Sequence, residues 1–332
     1  MILSFPPERP LACITIGRAN LDLYPPEGQA LACARSYRAF VGGSPANIAA
    51  GLVKRGLKAG IITKVADDGI GHFVAGYLRD FGVDTAQILF EDSFARTSLA
   101  FAERRRKAET VFYRQEPSDL LLEPKNINAE YIAAAQVLFL SGTALCCEPC
   151  RSAVQTAINA AQKSGTIVAM DIDYRPHGWA DSADKILQTF AGQCDLLIGT
   201  AEEFAIASGA VGPKAATEDA AFLRLFPAAR LLVVKRGKEG ANAYLRGGET
   251  VRGAVLPAAL KKPWGAGDAF ASSLLASLLL GKSLGDSMQD AAAAASLNIS
   301  GLSCTEAMPD SAEIADFLYR YHHHQLPPEW VD

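Results

Sequence analysis

The feature that most constrains the fold of this chain is a regular alternation of apolar runs and helical segments after residue 135. Four short runs rich in Val, Leu and Ile are separated by stretches of helical character, and they read "QVLFLSG", "TIVAMDI", "DLLIGT" and "RLLVVKRG". Apolar strands that alternate with helices are typical of a mostly parallel sheet with helices on both faces. The pattern therefore predicts a three-layer α/β/α fold.

The N-terminal part adds strands of a different kind. Residues 11–16 predict a buried strand, whereas 18–41 and 92–116 predict short exposed strands. We expect these two insertions to form one small β lid on a single domain that spans residues 1–332. No internal repeat, low-complexity linker or composition break marks a second full domain.

Helix signals are clear in several places. Ser44 and Pro45 predict a helix start with Ser44 as the N-cap. Further helices are predicted over residues 70–80, 267–280, 284–300 and 310–323.

Composition and charge exclude several classes of function. The 332 residues are 49% hydrophobic and carry a net charge of −4, so no nucleic-acid partner is expected. The basic run "RRRKA" at 104–108 is interpreted as a solvated hairpin tip. Apolar stretches are too short to cross a membrane, and the N-terminus does not resemble a secretory signal. Seven scattered cysteines indicate reduced thiols, and we expect a cytoplasmic protein without membrane partners.

The stretch "PWGAGDAF" carries the strongest chemical signal. Gly265, Ala266 and Gly267 lead into a helix, so free backbone N–H groups and the positive end of the helix dipole are available to an anion. A transferring phosphoryl group needs this kind of preorganised support. Asp268 beside it is placed to accept a proton from an attacking hydroxyl.

A second glycine stretch, "GGSPAN", precedes the first helix. Gly42, Gly43 and the Asn47 amide are expected to approach a polyhydroxyl ligand. No Lys-Ser or Lys-Thr pair follows, so the stretch is not a Walker loop, and a dinucleotide fingerprint would follow the first strand directly.

These stretches resemble the PfkB (ribokinase-like) family of sugar kinases. The resemblance rests on "GGSPANIAAGLVKRG", "VADDGIGHFVAGYLRDFGVDT", "DIDYRP", "VVKRGKEGA" and "PWGAGDAFASSLL", which occur in the family's order over residues 11–310. It implies a ribokinase-like fold and phosphorylation of a sugar by ATP with Mg²⁺. The narrower stretches "GRANLDLYP", "FYRQEPSDL" and "LSCTEAMP" are similar to the branch that acts on a keto-deoxy sugar acid of inositol degradation.

The resemblance also implies roles for individual residues. Asp268 would be the catalytic base, and the backbone of Gly265, Ala266 and Gly267 the anion hole. The residues expected to hold sugar hydroxyls are Asp22, Gly42, Gly43 and Asn47. The residues expected beside the nucleotide are Lys235, Gly237 and Gly240, with Glu202 organising magnesium-bound water.

Two positions depart from the family pattern. The family's N-x-x-E motif reads Gly199-Thr200-Ala201-Glu202 here, so its Asn is missing. Lys262 stands where many relatives have an aspartate at a monovalent-cation site. A lysine cation can replace a bound potassium ion, so potassium dependence is not predicted.

Two arginines favour an acidic sugar. Arg114 and Arg175 occupy positions at which related kinases bind a substrate carboxylate, for which a guanidinium is well suited. The resemblance implies that the substrate is 5-dehydro-2-deoxy-D-gluconate and that it is phosphorylated at O6. The alternative substrate is 2-keto-3-deoxygluconate, and a neutral sugar such as ribose or fructose is less favoured. A catalytically silent sugar-acid sensor is the alternative from another class. Exposed lid edges and the resemblance predict a homodimer through the lid.

Overall fold

The computed structural model describes residues 3–7, 9–104, 108–176, 178–179, 182–209 and 221–330. Most of the predicted hairpin tip at 104–108 lies outside the described residues. The strands are β1 (Leu11–Ile16), β2 (Asn20–Tyr24), β3 (Arg38–Gly42), β4 (Ala59–Ala66), β5 (Asp84–Glu91), β6 (Leu99–Ala102), β7 (Thr110–Tyr113), β8 (Ala135–Ser141), β9 (Ile167–Asp171), β10 (Leu196–Thr200), β11 (Leu231–Lys235), β12 (Ala241–Leu245) and β13 (Thr250–Gly253).

The helices agree closely with the predicted ones. They are α1 (Ser44–Lys54), α2 (Gly69–Phe81), α3 (Ala129–Ala133), α4 (Cys150–Ser164), α5 (Ala183–Ala191), α6 (Ala201–Ala207), α7 (Phe222–Leu225), α8 (Ala266–Leu279), α9 (Leu284–Ile299) and α10 (Ser311–His322). None of the helices in the described part of the chain is long and apolar enough to span a membrane.

The residues fall into two compact units, one of residues 1–17 and 120–255 and the other of 18–119 and 256–332. The first, here called the strand-rich unit, contains a sheet in the order β13-β12-β11-β10-β9-β8-β1. Within this sheet, β1, β8, β9, β10 and β11 pair with one another in parallel. Strand β12 pairs antiparallel with β11, and β13 pairs antiparallel with β12. This is the mostly parallel sheet that the alternating apolar runs predict.

The second unit, here called the small-sheet unit, has two β parts. Strands β4 and β5 pair in parallel, and helices α1 and α2 contact β4. A small sheet has the order β3-β2-β6-β7, drawn from the two predicted insertions. Its buried side chains Tyr24, Phe40 and Ala102 pack with Trp264 and Leu302. A second apolar cluster joins α8, α9 and α10 through residues such as Ala269, Ala293 and Phe317.

The prediction of Ser44 as an N-cap is wrong. Gly43 is the N-cap, with a φ of +98°, and Ser44 is the first residue of α1. The Ser44 Oγ is buried and has no hydrogen-bond partner among the described residues. The sharp turn that leads from β3 into α1 requires a glycine conformation, so it displaces the start of the helix by one residue.

Candidate active site

The start of α8 has the geometry of an anion-binding helix terminus. Gly265 precedes the helix in the left-handed conformation, with a φ of +92°, and no side chain caps the first helical N–H groups. Those groups therefore need another partner, which an anion can provide. Asp268 lies in this first turn and is half-buried.

Asn47 holds the Asp268 carboxylate. Its Nδ2 donates a hydrogen bond of 2.7 Å to Asp268 Oδ2, although 221 positions separate the two residues. Asn47 Oδ1 in turn lies 2.9 Å from the Thr305 hydroxyl, which shares its single hydrogen between this oxygen and the Val41 carbonyl oxygen and so helps to orient the amide. Asn47 thus has a positioning role that the sequence did not reveal, and its predicted contact with sugar hydroxyls stays a prediction.

Asp22 is a buried carboxylate on β2, with only 8% of its surface exposed. Its oxygens accept hydrogen bonds from Asn20 Nδ2 at 2.6 Å and from the Tyr24 hydroxyl at 3.1 Å. Burial raises the pKa of Asp22 from 3.8 to about 6, against the lowering effects of Asn20, Arg18 and Tyr24, while Asp268 raises it further. Asn20 and Tyr24 were not predicted as site residues, although the period of two along a strand places them on the same face as Asp22.

Gly42 and Gly43 are required by close packing. A Cβ on Gly42 would overlap the Asp22 carboxylate, and one on Gly43 would overlap the Arg18 carbonyl oxygen. Both glycines therefore let the backbone approach Asp22 and its strand closely. Their predicted contact with a sugar stays a prediction.

Arg114 follows β7 and is paired with a buried acid. Its Nη2 lies 2.5 Å from Asp119 Oδ2, and the Asp119 side chain is only 3% exposed. This ion pair orients the guanidinium, and Asp119 is a further residue that the sequence analysis did not identify. The prediction that Arg114 binds a substrate carboxylate is not tested by this contact.

The strand-rich unit brings together several polar groups at the carboxyl ends of neighbouring parallel strands. Lys235 at the end of β11 lies 2.7 Å from Asp171 at the end of β9. Burial alone would lower the pKa of Lys235, but the carboxylates of Asp171, Glu203 and Asp173 raise it above its ordinary value. Lys235 is therefore a fixed cation at the sheet edge at which open α/β folds bind ligands.

Arg175 has an acidic partner two residues away. Its Nη2 lies 2.8 Å from Asp173 Oδ1, and 63% of the Arg175 side chain is exposed. Asp173 Oδ2 accepts a hydrogen bond of 2.8 Å from Ser141 Oγ at the end of β8. Asp173 therefore links the exposed arginine to the sheet, and the predicted role of Arg175 stays a prediction.

Two adjacent glutamates at the start of α6 have different environments. Glu203 closes a capping box with Thr200, whose N–H donates to Glu203 Oε2 at 2.7 Å. Glu203 Oε1 also accepts from the Tyr174 N–H at 3.1 Å, so both of its oxygens are engaged. Glu202, the predicted magnesium residue, is exposed.

The turn between β11 and β12 depends on Gly237 and Gly240. Their φ angles are +53° and +86°, which side chains rarely adopt. A Cβ on Gly240 would also lie 2.9 Å from the Gly253 carbonyl oxygen. The turn places backbone groups directly after Lys235, and its predicted role beside a nucleotide stays a prediction.

The oxygen donors of the strand-rich unit fit a hydrated magnesium ion. Among the residues that the structure describes, no three His, Cys, Asp or Glu side chains converge to form a metal cage. Asp171 Oδ1, however, is buried without a hydrogen-bond partner in the described structure. Mg²⁺ usually keeps several waters and binds one or two carboxylates together with substrate phosphates. The donor set therefore suits an ion that arrives with phosphates.

Replacing Asp22 by asparagine is expected to raise stability while impairing substrate binding. Because the folded-state pKa is about 6 and the ordinary value is 3.8, the folded protein holds an extra proton between these values. Stability therefore falls as pH rises through this window, by up to about 3 kcal/mol at pH values above 6. In thermal unfolding, Asp22→Asn should be more stable than wild type at pH 7.5 but not at pH 4. A variant that is no more stable than wild type at pH 7.5 would contradict this explanation.

Comparisons with known proteins identify the family of this chain. The model of the pfkB family carbohydrate kinases matches residues 11–311. The chain belongs to this family and is a carbohydrate kinase, as the resemblance implied. Among relatives, the 5-dehydro-2-deoxygluconokinase of Geobacillus kaustophilus is 38% identical over 324 residues, which cover 96% of this chain and 97% of that protein. The 5-dehydro-2-deoxygluconokinase of Photobacterium profundum is 38% identical over 316 residues, or 94% and 96% of the two chains.

A solved structure supports the fold. The fructokinase with bound ATP from Xylella fastidiosa has a TM-score of 0.83 and 21% identity, covering 93% of this chain and 98% of that one. This confirms the predicted ribokinase-like α/β fold with its mostly parallel sheet. The roles predicted for single residues stay predictions.

Proposed function

We propose that this kinase transfers the γ-phosphoryl group of ATP to 5-dehydro-2-deoxy-D-gluconate, at O6. The observation that carries the proposal is the half-buried Asp268, held by Asn47 at 2.7 Å in the first turn of a helix that follows Gly265. The substrate is inferred from the two relatives at 38% identity, which are 5-dehydro-2-deoxygluconokinases.

The residues of the small-sheet unit carry the chemical step. Asp268 accepts the proton of the attacking hydroxyl, and its hydrogen bond from Asn47 keeps the carboxylate oriented. The amides that follow Gly265 stabilise the negative charge that spreads over the transferring phosphoryl oxygens. Asp22, together with Gly42, Gly43 and Asn47, binds the sugar hydroxyls.

The residues of the strand-rich unit serve the nucleotide. Lys235, Gly237 and Gly240 contact ATP, with Lys235 as the cation and the glycine turn as the backbone donor. Glu202 holds magnesium through water. When bound, Mg²⁺ neutralises the charge of the phosphates during transfer. The ATP that the Xylella fastidiosa fructokinase binds supports this assignment of the nucleotide.

Specificity for an acid rests on Arg114 and Arg175, since a guanidinium can hold a carboxylate through two parallel hydrogen bonds. Arg114 is oriented by its ion pair with buried Asp119, and Arg175 by Asp173.

The small sheet forms the lid and the contact of a homodimer. Strands β3 and β7 are its edges, and on β7 Phe112 and Tyr113 are 53% and 63% exposed. Tyr113 packs against Phe101, which packs against Tyr37, so one surface of the sheet is aromatic. Exposed strand edges and aromatic side chains both favour pairing with a second copy. The substrates are small molecules, and the protein acts in the cytoplasm.

The function is tested by measuring ADP release with ATP and magnesium on four sugars in parallel. The sugars are 5-dehydro-2-deoxygluconate, 2-keto-3-deoxygluconate, fructose and ribose. Turnover confined to the first supports the proposal, and preference for the second changes the substrate but keeps the mechanism. A sugar acid that binds without turnover would instead favour a silent sensor, against which the intact Gly265–Asp268 stretch argues.

Arg114→Met is expected to raise the KM for the sugar acid by about 10- to 100-fold, since hydrogen bonds to charged groups contribute about 1.5–3 kcal/mol. Arg96→Met is the matched control, because Arg96 is an exposed arginine whose nearest acid, Asp68, is 3.9 Å away. Steady-state kinetics of both variants, with thermal unfolding to measure the cost of leaving Asp119 unpaired, tests the assignment. An unchanged KM in a folded Arg114→Met protein would contradict it.

A further inference from the structure

Lys262 is a fully buried lysine three residues before the anion-binding turn. Its relative exposure is 0%. The Nζ donates hydrogen bonds to the Trp264 carbonyl oxygen at 3.0 Å and to Asn298 Oδ1 at 2.6 Å. Both acceptors are neutral, and within the described residues no carboxylate forms an ion pair with Lys262. Burying an ammonium without a countercharge in contact is costly, so its retention calls for a physical reason.

The ammonium lies directly against Gly265. A Cβ built on Gly265 would be 3.0 Å from Lys262 Nζ and would overlap Asn298 Oδ1. The Trp264 carbonyl oxygen that Lys262 binds belongs to the peptide that leads into Gly265. Lys262 therefore holds the peptide that leads into the left-handed turn and lies close to Gly265 itself.

Asn298 extends this contact toward the base. Its Oδ1 accepts from Lys262, and its Nδ2 donates a hydrogen bond of 2.8 Å to the Cys304 carbonyl oxygen. The next residue, Thr305, donates to Asn47, which holds Asp268. The turn and the base are thus braced by one connected set of polar groups.

Burial disfavours the charge of Lys262, and nearby acidic groups partly offset this effect. Burial lowers its pKa below 10.5, whereas Cys304, Asp268 and Asp22 act in the opposite direction. Asp268 and Asp22 are also the two carboxylates of the proposed site. A buried ammonium behind the turn partly balances them before the phosphoryl group brings further negative charge.

We propose that Lys262 is a positioning residue for phosphoryl transfer: its buried ammonium holds the Gly265 turn and supplies a positive charge behind the amides that face the phosphoryl group. The inference rests on the proposed kinase reaction and adds a residue that touches neither substrate. Because a tethered cation already occupies this position, the wild-type rate should not depend on added monovalent cations.

The test combines two variants with a change of salt. Lys262→Met keeps the length of the side chain without its charge, and Lys262→Ala leaves a space that a small cation can enter. Lys261→Met is the matched control, because Lys261 is the adjacent lysine and is exposed. Each protein is assayed at constant ionic strength in tetramethylammonium, potassium or ammonium chloride, with thermal unfolding to establish that it is folded.

Lys262→Met is expected to lose about 10²- to 10³-fold in kcat in every salt, with a KM for the sugar within about threefold of wild type. Lys262→Ala should lose as much in tetramethylammonium but recover at least about tenfold in ammonium or potassium, which a merely structural role would not produce. Wild type and Lys261→Met should be insensitive to the cation.

Three results would overturn the inference. They are a folded Lys262→Met protein with kcat within about threefold of wild type, a Lys262→Ala protein that no small cation rescues, and a wild-type rate that rises more than about fivefold with potassium. The last needs no variant, so it decides the question even if both substitutions prevent folding. The rate of each variant is compared with that of wild type on the sugar that wild type phosphorylates. If 5-dehydro-2-deoxygluconate is not the substrate, the wild-type assay alone shows this, independently of the variants.

Discussion

Asp268→Asn is expected to lower kcat by about 10²- to 10⁴-fold, the range that a general base contributes. The amide cannot accept the proton of the attacking hydroxyl, yet its oxygen can still accept the hydrogen bond that Asn47 donates. The variant should therefore fold normally and bind the sugar acid with little change in affinity. Single-turnover kinetics and calorimetric titration of the sugar measure the two effects separately.

The matched control for this prediction is Asp80→Asn, which removes an exposed carboxylate on α2 whose side chain is 82% exposed. Its kcat should equal that of wild type. An Asp268→Asn protein that retains kcat within about tenfold would show that another group accepts the proton, and the assignment of Asp268 as the base would be abandoned.

Gly265→Ala is expected to reduce kcat by about 10²- to 10³-fold, the range seen when one donor of an anion hole is lost. Gly265 has a φ of +92°, and a Cβ there would overlap Asn298 Oδ1. To relieve the overlap, the turn must shift and carry the first amides of α8 with it. The free energy of unfolding should also fall, by about 1–3 kcal/mol from backbone strain alone.

Gly281→Ala is the control that separates the effect of backbone strain from the effect of displacing the Gly265 turn. Gly281 follows the other end of α8 with a φ of +78°, but a Cβ there would meet nothing within 4 Å. This control should lose stability through strain and keep its kcat. If both glycine variants lost activity equally, or neither did, the position of the Gly265 turn would not be what supports catalysis.

Local signals allowed much of the fold to be predicted. The predicted helix at 70–80 is Gly69–Phe81 in the structure, where the Asp68 side chain accepts hydrogen bonds from the N–H groups of Ile70 and Gly71. A cap and an apolar period depend on residues close in sequence, so they can be read without knowing the fold. The same reasoning failed at Ser44, because the backbone conformation of Gly43 outweighed the capping preference.

The contacts within the site were much harder to predict from the sequence. Asn20 and Tyr24 could have been found from their spacing around Asp22, since alternate residues of a strand share a face. Thr305 offered no such signal, because its hydrogen bond to Asn47 joins residues 258 positions apart. The departure at Lys262 was visible in the sequence, but its neutral acceptors and its position against Gly265 were not.

The sequence by itself determined the class of fold, the family and the residue types that are proposed to supply an anion hole and a base. These depend on the period of apolar residues and on short motifs, which are local properties of the chain. Only the tertiary structure decided that Asn47 orients Asp268, that burial raises the pKa of Asp22, and that Lys262 lies behind the Gly265 turn. Distances across the sequence, burial and electrostatic environment arise when distant segments pack together, and no local pattern encodes them.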